Sequence, residues 1–373
     1  MMMKADALGL YIHIPFCIKK CAYCDFCSFP YGEFADREKY ISALCDEMDE
    51  YRSNDIKLDT VFFGGGTPSL LSGEEFGMIF AAIERNFKIL PDAEITMEAN
   101  PKTLTRENLT SYISRGVNRF SLGLQSIHEN ELKTLGRIHL YDDFLKTYNM
   151  IRDMGITNVN VDLMYAIPNQ TPESFISTLT TVAALKPEHI SLYSLILEEG
   201  TPLWNMRDSL TFPSVDEDCD MYFSAVDKLT SLGYRHYEIS NYAICGRESR
   251  HNLKYWKNKE YIGVGLAAYS YFNGTRYGNT ANKDFYLMGD RVAYSEAIDV
   301  VAQAYEYVML ALRLAEGFSL KEYKEKFCED FIESRSATVK ALIDNGYAAI
   351  CDGRFFLTDK GMYVSNSILN ELI

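Results

Sequence analysis

The sequence contains no apolar run approaching the ~18 residues that a membrane-spanning helix needs. It also lacks an excess of positive charge. Thirty-seven Lys and Arg stand against 52 Asp and Glu, for a formal charge of -15. That excludes non-specific nucleic-acid binding, which rests on a basic footprint, so no nucleic-acid partner is expected. Neutral or cationic partners suit such a field better. The opening stretch MMMKADALGLYIHIPF has one early lysine and no long apolar core before a small-residue cleavage site, so no export signal is expected. The nine cysteines are then expected in the reducing cytoplasm, where a disulfide framework does not form. Their odd number agrees. Internal repeats and low-complexity linkers are missing as well.

What is present is a rhythm of short β-rich runs: LGLYIHIP (8–15), TVFFGG (60–65), AEITMEAN (93–100), RFSLGLQS (119–126), NVNVDLMYA (158–166) and HISLYSLI (189–196). Segments with helical periodicity separate them. In REKYISALCDEMDEYR the apolar positions are Tyr40, Ile41, Leu44, Met48 and Tyr51. Alternating strand and helix predicts parallel βα units, either a barrel or a doubly wound sheet. The chemically unusual residues decide in favour of the barrel. The first strand is followed by cysteines and the second by GGGTP. EANP ends the third, Gln125 ends the fourth, and Asp162 lies in the fifth. A barrel gathers all such ends into one mouth, whereas an open doubly wound sheet is concave only at its switch point. The expected fold class is therefore α/β, a partial (β/α)6 TIM-like barrel over residues 1–290.

Residues 291–373 read as a smaller α+β unit of winged-helix type. VVAQAYEYVMLALRLAEG (300–317) is expected to be a helix stopped by Gly317, with two further helices behind it. AAICDGRFFLTDKG then reads as two strands joined at Asp352-Gly353, a favoured hairpin turn. Its acidity offers no phosphate-binding face, so a structural or docking role is expected.

The stretch FCIKKCAYCDFCSF holds Cys17, Cys21, Cys24 and Cys27. Structural zinc takes four ligands, often as two C-x2-C pairs, and no second pair is present. Thiolates clustered this tightly can instead wrap a compact multi-iron centre. Three protein thiolates would leave one iron open to another molecule.

C-x3-C-x2-C with Tyr23 before the third cysteine resembles the radical S-adenosylmethionine (SAM) superfamily. HIPFCIKKCAYCDF, GGGTPSLL, EANP, SLGLQS, LGRIH, VDLMYAIPNQT, YEISNYA and HNLKYW follow one another as in its coproporphyrinogen III oxidase-like branch. The set resembles the HemW-type heme chaperones most closely, and the likeness covers nearly the whole chain. The resemblance implies a 4Fe-4S cluster on Cys17, Cys21 and Cys24, with SAM on the fourth iron and a 5′-deoxyadenosyl radical formed on reduction. Cys27 departs from the pattern and is left outside the cluster.

Gly65 and Gly66 let backbone approach a ligand closely and Thr67 adds a hydroxyl. The resemblance sets that stretch against the SAM amino group. Glu98 suits a ribose hydroxyl or an amine. By the same resemblance Gln125, Arg137 and Asp162 match SAM-site positions, and Tyr11 and Tyr23 match aromatic positions that contact SAM. HNLKYW matches the heme-binding motif of the chaperone branch, which makes His251 the candidate heme ligand, with Tyr255 and Trp256 able to stack on a porphyrin.

Relatives carry Gly-Ala-His-Ser where this chain has Tyr269 in the histidine's place. The first strand starts at about residue 8, without the arm of the true oxidases. Both points weigh against coproporphyrinogen decarboxylation. The expected function is a radical SAM protein that binds heme and delivers it to acceptor hemoproteins. No catalytic residue is assigned. Membrane respiratory enzymes are expected acceptors and flavodoxin or ferredoxin an expected electron donor. The expected location is cytoplasmic, with peripheral contact to the membrane. The alternatives are an oxygen-independent coproporphyrinogen III oxidase of porphyrin biosynthesis and a non-catalytic, metal-stabilised binding protein.

Overall fold

A computed structural model describes residues 7–34, 36–52 and 55–372. The opening residues 1–6, where an export signal would begin, lie outside the described residues. Six parallel strands form the centre: β1 (Leu8–Ile14), β2 (Lys57–Gly65), β3 (Lys88–Ala99), β4 (Arg119–Gln125), β5 (Val159–Tyr165) and β6 (His189–Ser194). They lie side by side in chain order. A doubly wound sheet reverses its order at a switch point; here there is no reversal, and the sheet curls as a partial barrel.

The strands read as alternations because their two faces differ. In β4 the apolar Phe120, Leu122 and Leu124 face the surrounding helices, and Arg119, Ser121, Gly123 and Gln125 face inward. The register carries that inward set around the barrel. Thr96 pairs with Arg119, Glu98 with Ser121, Ser121 with Asn160, Asn160 with His189 and Asp162 with Ser191. The outward residues of all six strands join one large apolar cluster with the helices.

The lumen is polar and hydrogen-bonded. Asn160 Nδ2 donates to Ser121 Oγ at 2.7 Å, and His189 Nδ1 meets Asn160 Oδ1 at 2.6 Å. An amide oxygen only accepts, so His189 carries its proton on Nδ1. Its Nε2 then accepts from Tyr237 Oη at 2.8 Å.

Both edges of the sheet are extended by strands that the βα rhythm does not announce. On one side lie β7 (Arg235–Glu238) and β8 (Asn241–Ala243), with β8 against β6. On the other, β9 (Tyr261–Val264) runs parallel to β1. A meander of β10 (Tyr269–Phe272), β11 (Thr275–Asn279) and β12 (Val292–Ala297) continues that edge. The main sheet thus runs past residue 290.

A second apolar cluster starts at Val308 and is built on Phe318, Tyr323, Phe331 and Phe355. Helices Leu320–Phe327 and Ser336–Asp344 and the hairpin Ala348–Cys351/Arg354–Leu357 occupy the expected places. Asp352 and Gly353 both adopt positive φ, as a two-residue hairpin turn requires. Gly317 is not the helix stop. The helix ends at Ala311, six residues earlier. A Cβ on Gly317 would stand 1.9 Å from the Phe355 carbonyl oxygen, so the glycine serves the close pairing of Phe318–Ser319 with the hairpin.

Among the described residues no helix is long and apolar enough to cross a membrane.

Candidate functional site

The C-terminal ends of β1–β6 surround a cavity of about 330 Å³. The loop after β1 forms one side. Phe29 N bonds Pro15 O at 2.7 Å, closing the loop's base, and Arg37 spreads over the Phe16 ring at 4.6 Å while pairing with Glu75. Across the loop, Ala22 N reaches Leu135 O at 2.9 Å. Gly136 allows this approach, because a Cβ there would stand 3.0 Å from Ala22 N. Cys17, Cys21 and Cys24 all line the cavity. Cys27 lies outside it, its carbonyl held by His13 Nε2 at 2.7 Å.

One polar chain ties the loop to the strand ends. Thr67 Oγ1 points to Cys17 Sγ at 3.6 Å and receives Asn100 Nδ2 at 3.0 Å. Asn100 Oδ1 accepts from Arg137, whose Nη1 reaches Cys21 Sγ at 3.4 Å and whose Nη2 reaches Gly123 O at 2.6 Å. Gly123 leaves room for this arrangement, since a Cβ would sit 2.9 Å from Asn100 Oδ1. Gly65 has φ of +109°, and a Cβ on Gly66 would stand 2.7 Å from the Phe16 carbonyl oxygen. Both glycines are therefore required by the close packing of this strand end on β1 and its loop, and their backbone forms part of the cavity wall. Gln125 sits at positive φ beside a bulge in the β4–β5 pairing, and its buried Oε1 has no partner among the described residues.

Two carboxyl groups share the floor. Burial, then the charge of Asp162, pushes Glu98 up to about 8. Its Oε2 accepts from Gly65 N at 3.2 Å. Burial also raises Asp162, against bonds from Asn160 at 2.7 Å and Ser121 at 3.1 Å. Arg119, itself buried, is the nearby cation that lowers both.

The residues present suit a 4Fe-4S cluster and SAM. Burial raises the thiols of Cys17 and Cys24, a cost that iron's positive charge would reverse. Among the described residues no three His, Cys, Asp or Glu side chains gather around one point as a single metal ion requires. A cubane takes each thiolate on a different iron and needs no such gathering. The unpartnered Gln125 Oε1 and Arg137 Nε, with the glycine-lined wall, leave donors and acceptors for a polar ligand.

Of the residues expected at the SAM site, Tyr23, Gly65, Gly66, Thr67, Glu98, Gln125, Arg137 and Asp162 share this cavity with the three cysteines. Tyr11 does not. It lines a neighbouring cavity of about 510 Å³, its hydroxyl 3.1 Å from His13 Nδ1. Arg119, Asn100 and Asn160 also line the first cavity and were not singled out from sequence. Asn100 lies within EANP, and Arg119 was signalled only as a charge beginning an otherwise buried strand.

HNLKYW forms the helix Arg250–Trp256, packed on the lumen's N-terminal side. Ser249 caps it, and Glu94 accepts from the backbone nitrogens of Arg250 and His251. Gly9 makes the seat, because a Cβ there would meet Lys254 at 2.9 Å and His251 at 3.2 Å. His251 lines neither cavity. Its ring stacks on Phe62 at 5.1 Å, with Nδ1 2.8 Å from Thr60 Oγ1 and Nε2 2.8 Å from Tyr255 Oη. Burial lowers it to about 3. This departs from the expectation of an open iron ligand: both ring nitrogens are already engaged. Tyr255 and Trp256 do line the second cavity.

A partial barrel whose strand ends hold a three-cysteine loop and a glycine-walled polar cavity defines a radical SAM protein, and residues 11–182 match the radical SAM superfamily. Residues 301–364 match the HemN C-terminal domain. The heme chaperone HemW of Lactococcus lactis is 35% identical over 97% of this chain and 96% of its own length. Its counterpart in Escherichia coli is 33% identical over 99% and 98%. The chain belongs to the HemW family of heme chaperones. The solved coproporphyrinogen III oxidase HemN of Escherichia coli, described as a radical SAM enzyme, shares the fold. Its TM-score is 0.86 at 22% identity, covering 99% of this chain and 90% of that one.

Proposed function

We propose that the protein binds heme and delivers it to hemoproteins, holding a 4Fe-4S cluster and SAM at its strand ends. The observation that carries this reading is full-length identity of 35% and 33% to relatives that are heme chaperones. Cys17, Cys21 and Cys24 would supply the thiolates. Tyr23, Gly65, Gly66, Thr67, Glu98, Gln125, Arg137 and Asp162 would hold SAM. When bound, cluster and SAM supply one-electron cleavage of the sulfonium.

The chain's own groups prepare the cavity for such a ligand. Arg137 Nη1 approaches Cys21 Sγ, where it would offset the charge of a cluster-bound thiolate, and Thr67 orients toward Cys17. With its carboxyl near 8, Glu98 is protonated at neutral pH in the free protein. A cationic ligand beside it would draw that proton off. In this reading the barrel and the segments packed on it, which continue past residue 290, hold the cofactors, and the unit built on Phe318, Tyr323, Phe331 and Phe355 serves docking. The location is cytoplasmic, with membrane respiratory enzymes as acceptors and flavodoxin or ferredoxin as electron donor.

The fold shared with HemN supports a second reading, oxidative decarboxylation of coproporphyrinogen III, but an identity of 22% speaks for fold alone. The test is one anaerobically reconstituted sample, assayed two ways. Heme loaded on the protein should pass to an apo-hemoprotein, and coproporphyrinogen III should give no protoporphyrinogen IX. Heme that stays on the protein, or decarboxylation at the rate of a true oxidase, would overturn the carrier reading.

A further inference from the structure

The second cavity opens beside the first, and Phe26, Gly65 and Glu98 line both. Its volume of about 510 Å³ lies within the range of small-molecule sites, roughly 300–1,000 Å³. Its walls are rings: Tyr255 and Trp256 from the HNLKYW helix, and Tyr261 edge-on to Tyr255 at 4.6 Å. Arg313 covers the Trp256 ring at 4.6 Å and holds the indole in place. Arg276, paired with Glu306, adds a guanidinium to the lining.

Few groups in this cavity can hold iron. His13 has both nitrogens engaged, by Tyr11 Oη at 3.1 Å and Cys27 O at 2.7 Å. The Cys27 thiol is turned to the Ala281 carbonyl at 3.9 Å. Met309 offers a neutral thioether, a poor partner for ferric iron. Two phenols of the cavity, Tyr261 and Tyr269, have hydroxyls without a hydrogen-bond partner among the described residues. Tyr261 is half-buried with its ring edge-on to Tyr255, whereas Tyr269 is the open one, the residue being 57% exposed. The backbone is also cut to fit it. Tyr269 pairs with Gly278 across β10 and β11, and a Cβ on Gly278 would stand 2.7 Å from the ring. A Cβ on Gly263 would stand 2.1 Å from the Tyr269 carbonyl oxygen. Gly278 thus clears the place where the ring lies, and Gly263 admits the Tyr269 backbone beside β9.

We propose that the second cavity is the heme site, with the Tyr269 phenol as iron ligand and the macrocycle against Tyr255 and Trp256. The inference rests on the heme-carrier reading above and assigns its place. Tyrosinate is an established axial ligand type for ferric heme. As the Fe–O bond forms, the phenol proton leaves to solvent and no redox change is required. HNLKYW then serves heme through its Tyr and Trp, while His251 sets the Tyr255 hydroxyl from behind. The shared wall puts the heme edge beside the cluster cavity.

The test is titration of the cluster-loaded, full-length protein with hemin, read by absorption and resonance Raman. Tyr269→Phe keeps the ring and should lose the iron–phenolate charge-transfer band, with affinity falling about tenfold or more. Tyr269→His should restore affinity with an imidazole-type spectrum. Gly278→Val, which displaces the ring, should weaken the band with the hydroxyl still present. Cluster absorption in each variant reports that the fold is intact. The inference falls if Tyr269→Phe retains the wild-type spectrum, or if the band is lost in Cys27→Ser or His251→Gln instead. If wild type takes up no hemin, the carrier reading falls as well; if it binds hemin and ignores Tyr269, only this assignment fails.

Discussion

The cavity at the strand ends is lined by groups that hold charge or protons: three cysteines, Glu98, Asp162, Arg119 and Arg137. The cavity beside it is lined by Tyr255, Trp256, Tyr261 and Tyr269. Their origins differ as well. The first is made by inward-facing positions of six consecutive parallel strands, brought together by pleat and register, and by the loops at their ends, which add the three cysteines, Thr67 and Arg137. The second is made where the antiparallel extension, the HNLKYW helix and the helix Val300–Ala311 meet β1, segments remote in sequence. The first suits a polar, cationic ligand and a metal cluster. The second suits a flat, apolar one.

Substitutions can break this contrast, and the largest effect falls on the cluster. Cys21→Ser should abolish the visible absorption of anaerobically reconstituted protein, because two thiolates do not retain the cubane. Cys27→Ser should leave it nearly unchanged, since Cys27 opens on the other cavity. Loss of absorption in both would erase the boundary between them.

Next come the ligands. Arg137 bridges Cys21, Asn100 and Gly123, so Arg137→Gln should weaken SAM by roughly 1.5–3 kcal/mol and leave heme affinity unaltered. Trp256→Ala should do the reverse, weakening heme by about 0.5–1.5 kcal/mol from lost ring contact alone and sparing SAM. Isothermal titration of both ligands on both variants checks the crossover.

Glu98 belongs to both walls and sharpens the comparison through pH. Its carboxyl is raised from 4.5 to about 8 in the folded state. Between those values the native state holds the proton more tightly than the unfolded chain does. Stability is therefore highest below about 4.5 with respect to this group, and falls as pH rises toward 8. Glu98→Gln should remove that slope, gaining about 1–3 kcal/mol relative to wild type at the alkaline end, as read from urea melts across the window. In wild type at pH 7, SAM binding should release up to about one proton, measured by calorimetry in buffers of different ionisation enthalpy. Proton release on heme binding that survives in Tyr269→Phe and vanishes in Glu98→Gln would mean that Glu98 answers to the second cavity.

The smallest expected effect on either ligand comes from the distal unit. Gly317→Ala should lower stability by about 1–3 kcal/mol, since it combines positive φ with a clash at Phe355, while both ligand affinities hold.

Much of the first cavity could be read from the chain. R-F-S-L-G-L-Q alternates because one face meets helices and the other a polar lumen. The cysteine spacing lies within one loop, and GGG ends a strand. Those signals are local. Arg119 and Asn160 gave little warning: the value of Arg119 depends on lying near Glu98 and Asp162 of the neighbouring strands, and that of Asn160 on bonding Ser121 across the β4–β5 pair as well as Asp162 on its own strand. Tyr11 was set with SAM by motif, yet the wall between Gly64 and Glu98 puts it on the other side. A Cβ at Gly64 would stand 2.9 Å from the Tyr11 ring and 3.2 Å from Glu98 Oε2. His251 was the residue of HNLKYW most suited to iron by chemistry, and packing against Phe62, Thr60 and Tyr255 turned it inward.

By itself the sequence determined the βα order, the alternation that makes the lumen polar, and the cysteine loop at the first strand's end. Each follows from neighbours in the chain and from the period of the strand. Only the tertiary structure decided that the antiparallel strands would flank the barrel, that HNLKYW would seal its base, and that Tyr269 would stand open on a second cavity. Those outcomes depend on contacts between distant segments and on which glycines leave room, and no local spacing encodes them.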